Sequence, residues 1–123
     1  MRNALAVALG GAAGSVLRYW MGLALLGASR AVPANTLVIN VAGAFVLGLI
    51  LAVVPATHTP TRLLLATGFC GGFTTFSTFS AEVVALAERG QPTRAAGYAV
   101  GSVVLGVIAV LGGTLLGRTV AGR

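Results

Sequence analysis

The sequence contains no lysine and no aspartate, and its only acidic side chains are Glu82 and Glu88. One cysteine, Cys70, and one histidine, His58, complete the reactive inventory. A single cysteine excludes an internal disulfide, and as part of an apolar run it reads as a small buried hydrophobe. His58 stands alone in the turn-rich stretch Pro55-Ala-Thr-His-Thr-Pro60, with no second ligand beside it, and reads as a solvated loop residue. No catalytic pair or metal cluster can be assembled from so few groups, so the chain is not expected to be an enzyme. Charged residues make up 8% of the 123, against roughly 25% in a water-soluble domain. That scarcity excludes an ordinary soluble fold. The net charge of +6 comes entirely from arginine, scattered singly among apolar segments. Such a distribution suits lipid headgroups and gives no footprint for nucleic acid.

What remains is apolar: 57% hydrophobic residues and a mean hydropathy of +0.98. Crossing a bilayer takes about 20 such residues, and four stretches qualify, at about 4–26, 33–54, 63–88 and 94–116. The expected fold is an all-α membrane protein, a single transmembrane domain over 1–123 with four spans, multi-pass in the cell membrane with the lipid bilayer as its solvent. Arg2 and the apolar residues after it faintly resemble a signal peptide, but a retained helix is the better reading. Gly10/Gly14, Gly97/Gly101 and Gly113/Gly117 offer small faces for close helix contact. Pro33 starts the second helix and Pro92 breaks the chain before the fourth. Arg18 lies inside the first span beside Tyr19 and Trp20. It either snorkels to the interface with them or lines an aqueous vestibule. Thr36 and Asn40, four apart, share a face of the second helix, as do Tyr98 and Ser102 on the fourth. Asn40 either makes an interhelical hydrogen bond or faces a pore.

The third stretch organises the rest. Its centre reads Gly68-Phe-Cys-Gly-Gly-Phe-Thr-Thr-Phe-Ser-Thr-Phe-Ser80, placing two glycines and five hydroxyl residues in the middle of an apolar run. Glycines weaken a helix, and hydroxyls offer its backbone other partners. Irregular chain at membrane depth must be enclosed by protein or line a wet cavity. The expectation is a broken third helix, with the break over Gly71 to Thr74, serving permeation or ion binding. Phe76, Phe79 and Glu82 follow at intervals of three. An aromatic stripe at that spacing is ordinarily packing. Here the positive ring edges, the hydroxyls of Thr75, Ser77, Thr78 and Ser80, and the Asn40 amide together can solvate a small anion without a fixed positive charge. Conduction favours weak serial sites of this kind.

Orientation follows the arginine bias. Arg2, Arg62, Arg118 and Arg123 fall on one side, Arg30, Arg89 and Arg94 on the other, with Arg18 uncounted. So small a bias fits a chain inserted both ways and paired as an antiparallel homodimer. Two copies of the break would then meet at mid-membrane, where freed carbonyls form an oxygen cage for a small hard cation. Closed by symmetry, that cage would be structural.

The third-span motif resembles the signature of the CrcB/Fluc family of fluoride channels. Gly10-Gly11-Ala-Ala-Gly14-Ser-Val-Leu-Arg18-Tyr19 and Asn35-Thr36-Leu-Val-Ile-Asn40-Val-Ala-Gly43 resemble it too, in order along the chain. The resemblance implies a dual-topology homodimer with two antiparallel pores that exports fluoride passively across the cytoplasmic membrane. It implies that Phe76 and Phe79 present ring edges to the anion, that Asn40 lines the pore, and that Ser77 and Thr78 supply hydroxyls near the break. It implies that the main-chain carbonyls of Gly71 and Thr74 hold a structural Na+, that Arg18, Thr36 and Glu82 occupy vestibules, and that Tyr98 and Ser102 form a polar track. Gly106 stands where a further serine sometimes continues that track. Two other classes compete: a small drug/proton antiporter, which needs an acid deep in its first helix, and a purely structural membrane subunit, which would pass no ions.

Overall fold

The computed structural model describes residues 1–25 and 33–122. Arg30 and Arg123, both used in the orientation count, lie outside the described residues. Those residues are helical or connecting, with no strand among them. Helix α1 (Arg2–Ala24) and helix α2 (Ala34–Val53) match the expected first two spans to within about two residues. The third span is a composite. Helix α3 (Thr59–Arg62) continues through a π-helical segment (Leu63–Cys70) into a single turn, α4 (Gly71–Phe73). The chain then extends at Thr74 and Thr75 before α5 (Phe76–Glu88) begins. Helix α6 (Pro92–Val120) starts two residues earlier than expected and ends four later. Among the described residues three helices, α1, α2 and α6, are each long and apolar enough to cross a membrane, and the broken third stretch lies beside them in two halves.

The break, at Thr74 and Thr75, overlaps the end of the expected stretch, but the glycine pair expected to cause it is not part of it. Gly71 and Gly72 stay helical, because a glycine costs a helix only about 1 kcal/mol and packing overrides that. A Cβ on Gly72 would strike the carbonyl oxygen of Gly11 on α1. Gly10 and Gly14 answer from the other side, pressed against the carbonyls of Leu64 and Phe69. Thus α1 and the first half of the third span meet backbone to backbone, which is how helices attract one another in lipid. Helices α2 and α6 form a second such pair. Gly48 rests on the carbonyl of Val110, Gly113 on that of Phe45, and Gly117 on Ala52. The expected contacts at Gly10/Gly14 and Gly113/Gly117 are therefore made. Gly97 and Gly101 have open space where a Cβ would stand, so within one chain they pack against nothing.

Helix α5 sides with the second pair. Leu86, Ala95 and Tyr98 form a small buried cluster, onto which Leu37, Phe79 and Val83 pack. Its C-terminus closes with the Gln91 amide donating to the Leu86 carbonyl and the Gly90 amide to that of Ala87. Gly90 takes the left-handed conformation this closure needs, at φ 72°. Arg62, read from sequence only as a topology charge, closes α2. Its Nε and a terminal nitrogen donate to the carbonyls of Val54 and Leu51, at 3.1 and 2.9 Å.

Candidate functional site

A helix broken in a membrane frees backbone groups, and those of Thr74, Thr75 and Thr78 have traceable fates. The Thr74 amide still reaches the Cys70 carbonyl at 3.0 Å, joined there by the Thr74 hydroxyl at 2.9 Å. The Thr75 amide leaves the helix ladder and donates to Asn40 Oδ1 at 2.8 Å. Asn40 Nδ2 in turn donates to the Thr75 carbonyl at 3.1 Å. One primary amide on α2 thus satisfies both main-chain groups of one residue in the break. The Thr78 amide, likewise diverted, donates to Thr75 Oγ1 at 3.2 Å, making Thr75 the N-cap of α5. Thr75 Oγ1 donates to Thr78 Oγ1 at 2.9 Å. Thr75 is buried and every polar atom it has is engaged. Sequence reasoning counted it only as one hydroxyl among several.

These diversions leave two carbonyls without their helical donors. Gly71 would receive the Thr75 amide and Thr74 the Thr78 amide, and both amides point elsewhere.

Two grooves flank the break. The first, of about 450 Å³, runs between α2, α5 and α6 and is lined by Asn40, Phe76, Phe79, Ser102 and Gly106, among apolar neighbours. Phe76 is 79% exposed. Its ring centroid lies 5.7 Å from that of Phe79, which lies 5.3 Å from that of Tyr98, and both pairs are tilted, not stacked. Phe79 thus makes the packing contact weighed for it, on the buried cluster, and also lines the groove. Ser102 Oγ is shielded from solvent and has no hydrogen-bond partner among the described residues. No charged side chain lines this groove among the described residues.

The second groove, of about 330 Å³, lies on the α1 side and is lined by Arg18, Tyr19, Asn35, Thr36, Thr75 and Thr78 together with small and apolar neighbours. Within one chain, then, Thr78 belongs with Arg18 and not with the phenylalanines. Ser77 is exposed beside it. Glu82 closes the arrangement near Thr36: its carboxylate accepts from Thr36 Oγ1 and from Tyr98 OH, each at 2.7 Å. The short distances fit charge-assisted bonds. They tie α5 to α2 and α6 at one level of the molecule.

Backbone-contact helix pairs, long apolar spans and polar groups gathered at an interrupted helix define a multi-pass membrane protein of the ion-pathway class. The family model for "CrcB-like protein, Camphor Resistance (CrcB)" matches residues 5–114, and the chain belongs to that family. Curated relatives carry the name fluoride-specific ion channel FluC. That from Chloroflexus aurantiacus is 48% identical, covering 99% of this chain and all of its own length. That from Rhizobium leguminosarum bv. trifolii is 45% identical over 98% of this chain and all of its own. That from Pseudomonas aeruginosa is 44% identical over 94% and 91%. The family is one of ion channels and not of enzymes, as the poverty in catalytic groups led one to expect.

Proposed function

We propose that the protein is a fluoride channel that lets the anion leave the cytoplasm passively. The observation carrying this reading is the first groove. It brings an asparagine amide, a serine hydroxyl without a partner among the described residues and two phenylalanine rings to one wall with no charged side chain among the described residues. Each offers partial positive charge, and none binds an anion tightly enough to trap it. Arg18 stands apart in the second groove, where a full charge can draw anions toward a mouth without holding them in the passage. The Thr36–Glu82–Tyr98 cluster braces the other helices around that passage. Ser77 and Thr78, pointing away from the phenylalanine groove of their own chain, fit a pathway completed by a second copy. An antiparallel homodimer of dual topology supplies that copy, and the near-even arginine count agrees with it.

The family also implies a structural sodium ion. The residues fit one: the carbonyls of Gly71 and Thr74 are those whose helical donors have been diverted, and no Cβ stands at Gly71 to crowd them. Hard carbonyl oxygens suit such a cation, and two copies would double the set. The Gly71 and Thr74 carbonyls would hold the ion, which would offset the dipoles left by the diverted amides. Replacing sodium with a large organic cation is expected to lower the dimer fraction measured by size-exclusion chromatography in detergent. A dimer indifferent to sodium would count against the site.

The channel reading is tested by fluoride-electrode recording of efflux from liposomes holding only this protein. Efflux is expected without any imposed proton gradient, which separates a passive pore from an antiporter. Absence of flux would return the chain to the structural-subunit class. Phe79→Ile or Phe76→Ile is expected to lower efflux about tenfold, the loss of roughly one favourable contact, with assembly intact. Equal loss of assembly would make the rings packing alone.

A further inference from the structure

An asparagine side chain is ambidextrous. It offers an acceptor and two donors, and an amide free to turn would present either to a passing ion. Asn40 is not free to turn. Its Oδ1 accepts from the Thr75 amide at 2.8 Å while its Nδ2 donates to the Thr75 carbonyl at 3.1 Å. Flipping the group would set N–H against N–H and oxygen against oxygen. The orientation is therefore dictated by a main chain whose donor and acceptor cannot exchange places.

The lock has a chemical consequence. It commits the oxygen to the Thr75 amide and one of the two Nδ2 hydrogens to the Thr75 carbonyl. Asn40 also lines the groove that holds Phe76, Phe79 and Ser102, and among the described residues its second Nδ2 hydrogen has no acceptor. That N–H is the polar hydrogen Asn40 has left to offer the groove. We propose that the Thr75 peptide group is a specificity-determining positioning element, fixing the Asn40 amide so that its unspent N–H is kept for ions in the groove. The inference rests on the channel reading above and adds to it the residue that gives Asn40 its sign. The Thr75 side chain is occupied with Thr78, and both Thr75 main-chain groups bond Asn40. In this account Thr75 contacts no anion. It acts through Asn40.

The direct test is magnetic resonance on liposome-embedded protein carrying 15N-asparagine, with Asn40 assigned by its loss in Asn40→Ser. One side-chain amide proton is expected to exchange slowly with solvent, and fluoride is expected to shift the resonance of the other alone. Neither proton responding to fluoride while the protein conducts would reduce Asn40 to a structural tie and overturn the proposal. The second test replaces Thr75 by its α-hydroxy analogue, which exchanges the one N–H that holds Oδ1 for an ester oxygen and keeps the side chain. Fluoride efflux is expected to fall about tenfold, as for a lost hydrogen bond to an ion, and both Asn40 amide protons become responsive. Efflux equal to the unmodified protein overturns the lock while leaving the channel reading intact. An unmodified protein without fluoride flux defeats that reading, and the specificity role with it. If the ester chain does not fold, the resonance measurement on the unmodified protein still decides.

Discussion

Asn40→Asp is expected to abolish fluoride efflux while leaving the fold in place. The two side chains are nearly isosteric, and a carboxylate oxygen can still accept the Thr75 amide as Oδ1 does at 2.8 Å. Two things change: an oxygen replaces the Nδ2 donor against the Thr75 carbonyl, which loosens the break by about 1–3 kcal/mol, and a negative charge enters the groove. A negative charge about 4 Å from a passing anion costs about 4 kcal/mol at an effective dielectric near 20, which corresponds to about a thousandfold in rate. Liposome efflux would fall to background while chromatography shows the assembly unchanged. An unaltered fluoride flux would remove Asn40 from the pathway and leave it only as the strut of the break.

Gly14→Ala is expected to damage the other property, assembly of the fold itself. The new Cβ would meet the Phe69 carbonyl oxygen and stand 2.8 Å from the Phe73 nitrogen. Both are backbone atoms, which cannot swing aside as a side-chain tip would. Helix α1 would have to move off the third span along a seam that Gly10 and Gly72 also share. Overpacking of this kind costs about 3 kcal/mol at its upper range, a large share of typical stability. The expected result is a lower thermal midpoint in detergent, with flux falling in step. Gly22→Ala is the internal comparison, because nothing lies within 4 Å of a Cβ there and alanine favours the helix by about 1 kcal/mol. If both substitutions were equally tolerated, close contact at Gly14 would not be what holds α1.

These two residues mark what could and could not be read in the chain. Membrane class and span positions followed from hydropathy, because lipid imposes one simple demand along the whole length. The seams at Gly10/Gly14 and Gly113/Gly117 were legible for the same reason. The place of the break was legible only in part, because the expected Gly71 to Thr74 reaches it at Thr74 alone. Local propensity pointed to Gly71 and Gly72, whereas the interruption arises from Asn40 drawing the Thr75 amide out of its ladder, a contact spanning 35 residues of sequence. No local rule contains that competition. Of the alternatives weighed for Asn40, the interhelical hydrogen bond is made, and its place on the groove wall leaves the pore-facing role as a proposal. Convergence of Thr36 and Tyr98 on Glu82 was half visible: Thr36 shares a face with Asn40, and Tyr98 with Ser102, but only the fold shows both faces turned to one carboxylate. Gly97/Gly101 misled in the opposite direction, since a small-residue pair announces capacity for contact without naming what arrives.

The third span belongs to two masters. Its first half is welded to α1, its second half to α2 and α6, and the two extended threonines are where allegiance changes. The molecule is thus two stiff blocks meeting along a line of weaker cohesion, and stability in such a body is set block by block. Exchange or mechanical force would be felt first along that line, with each block yielding later and as a unit. The groove lined by Asn40, Phe76, Phe79 and Ser102 lies inside the second block, between α2, α5 and α6, so its walls stay seated on one body while the chain at its end is unwound.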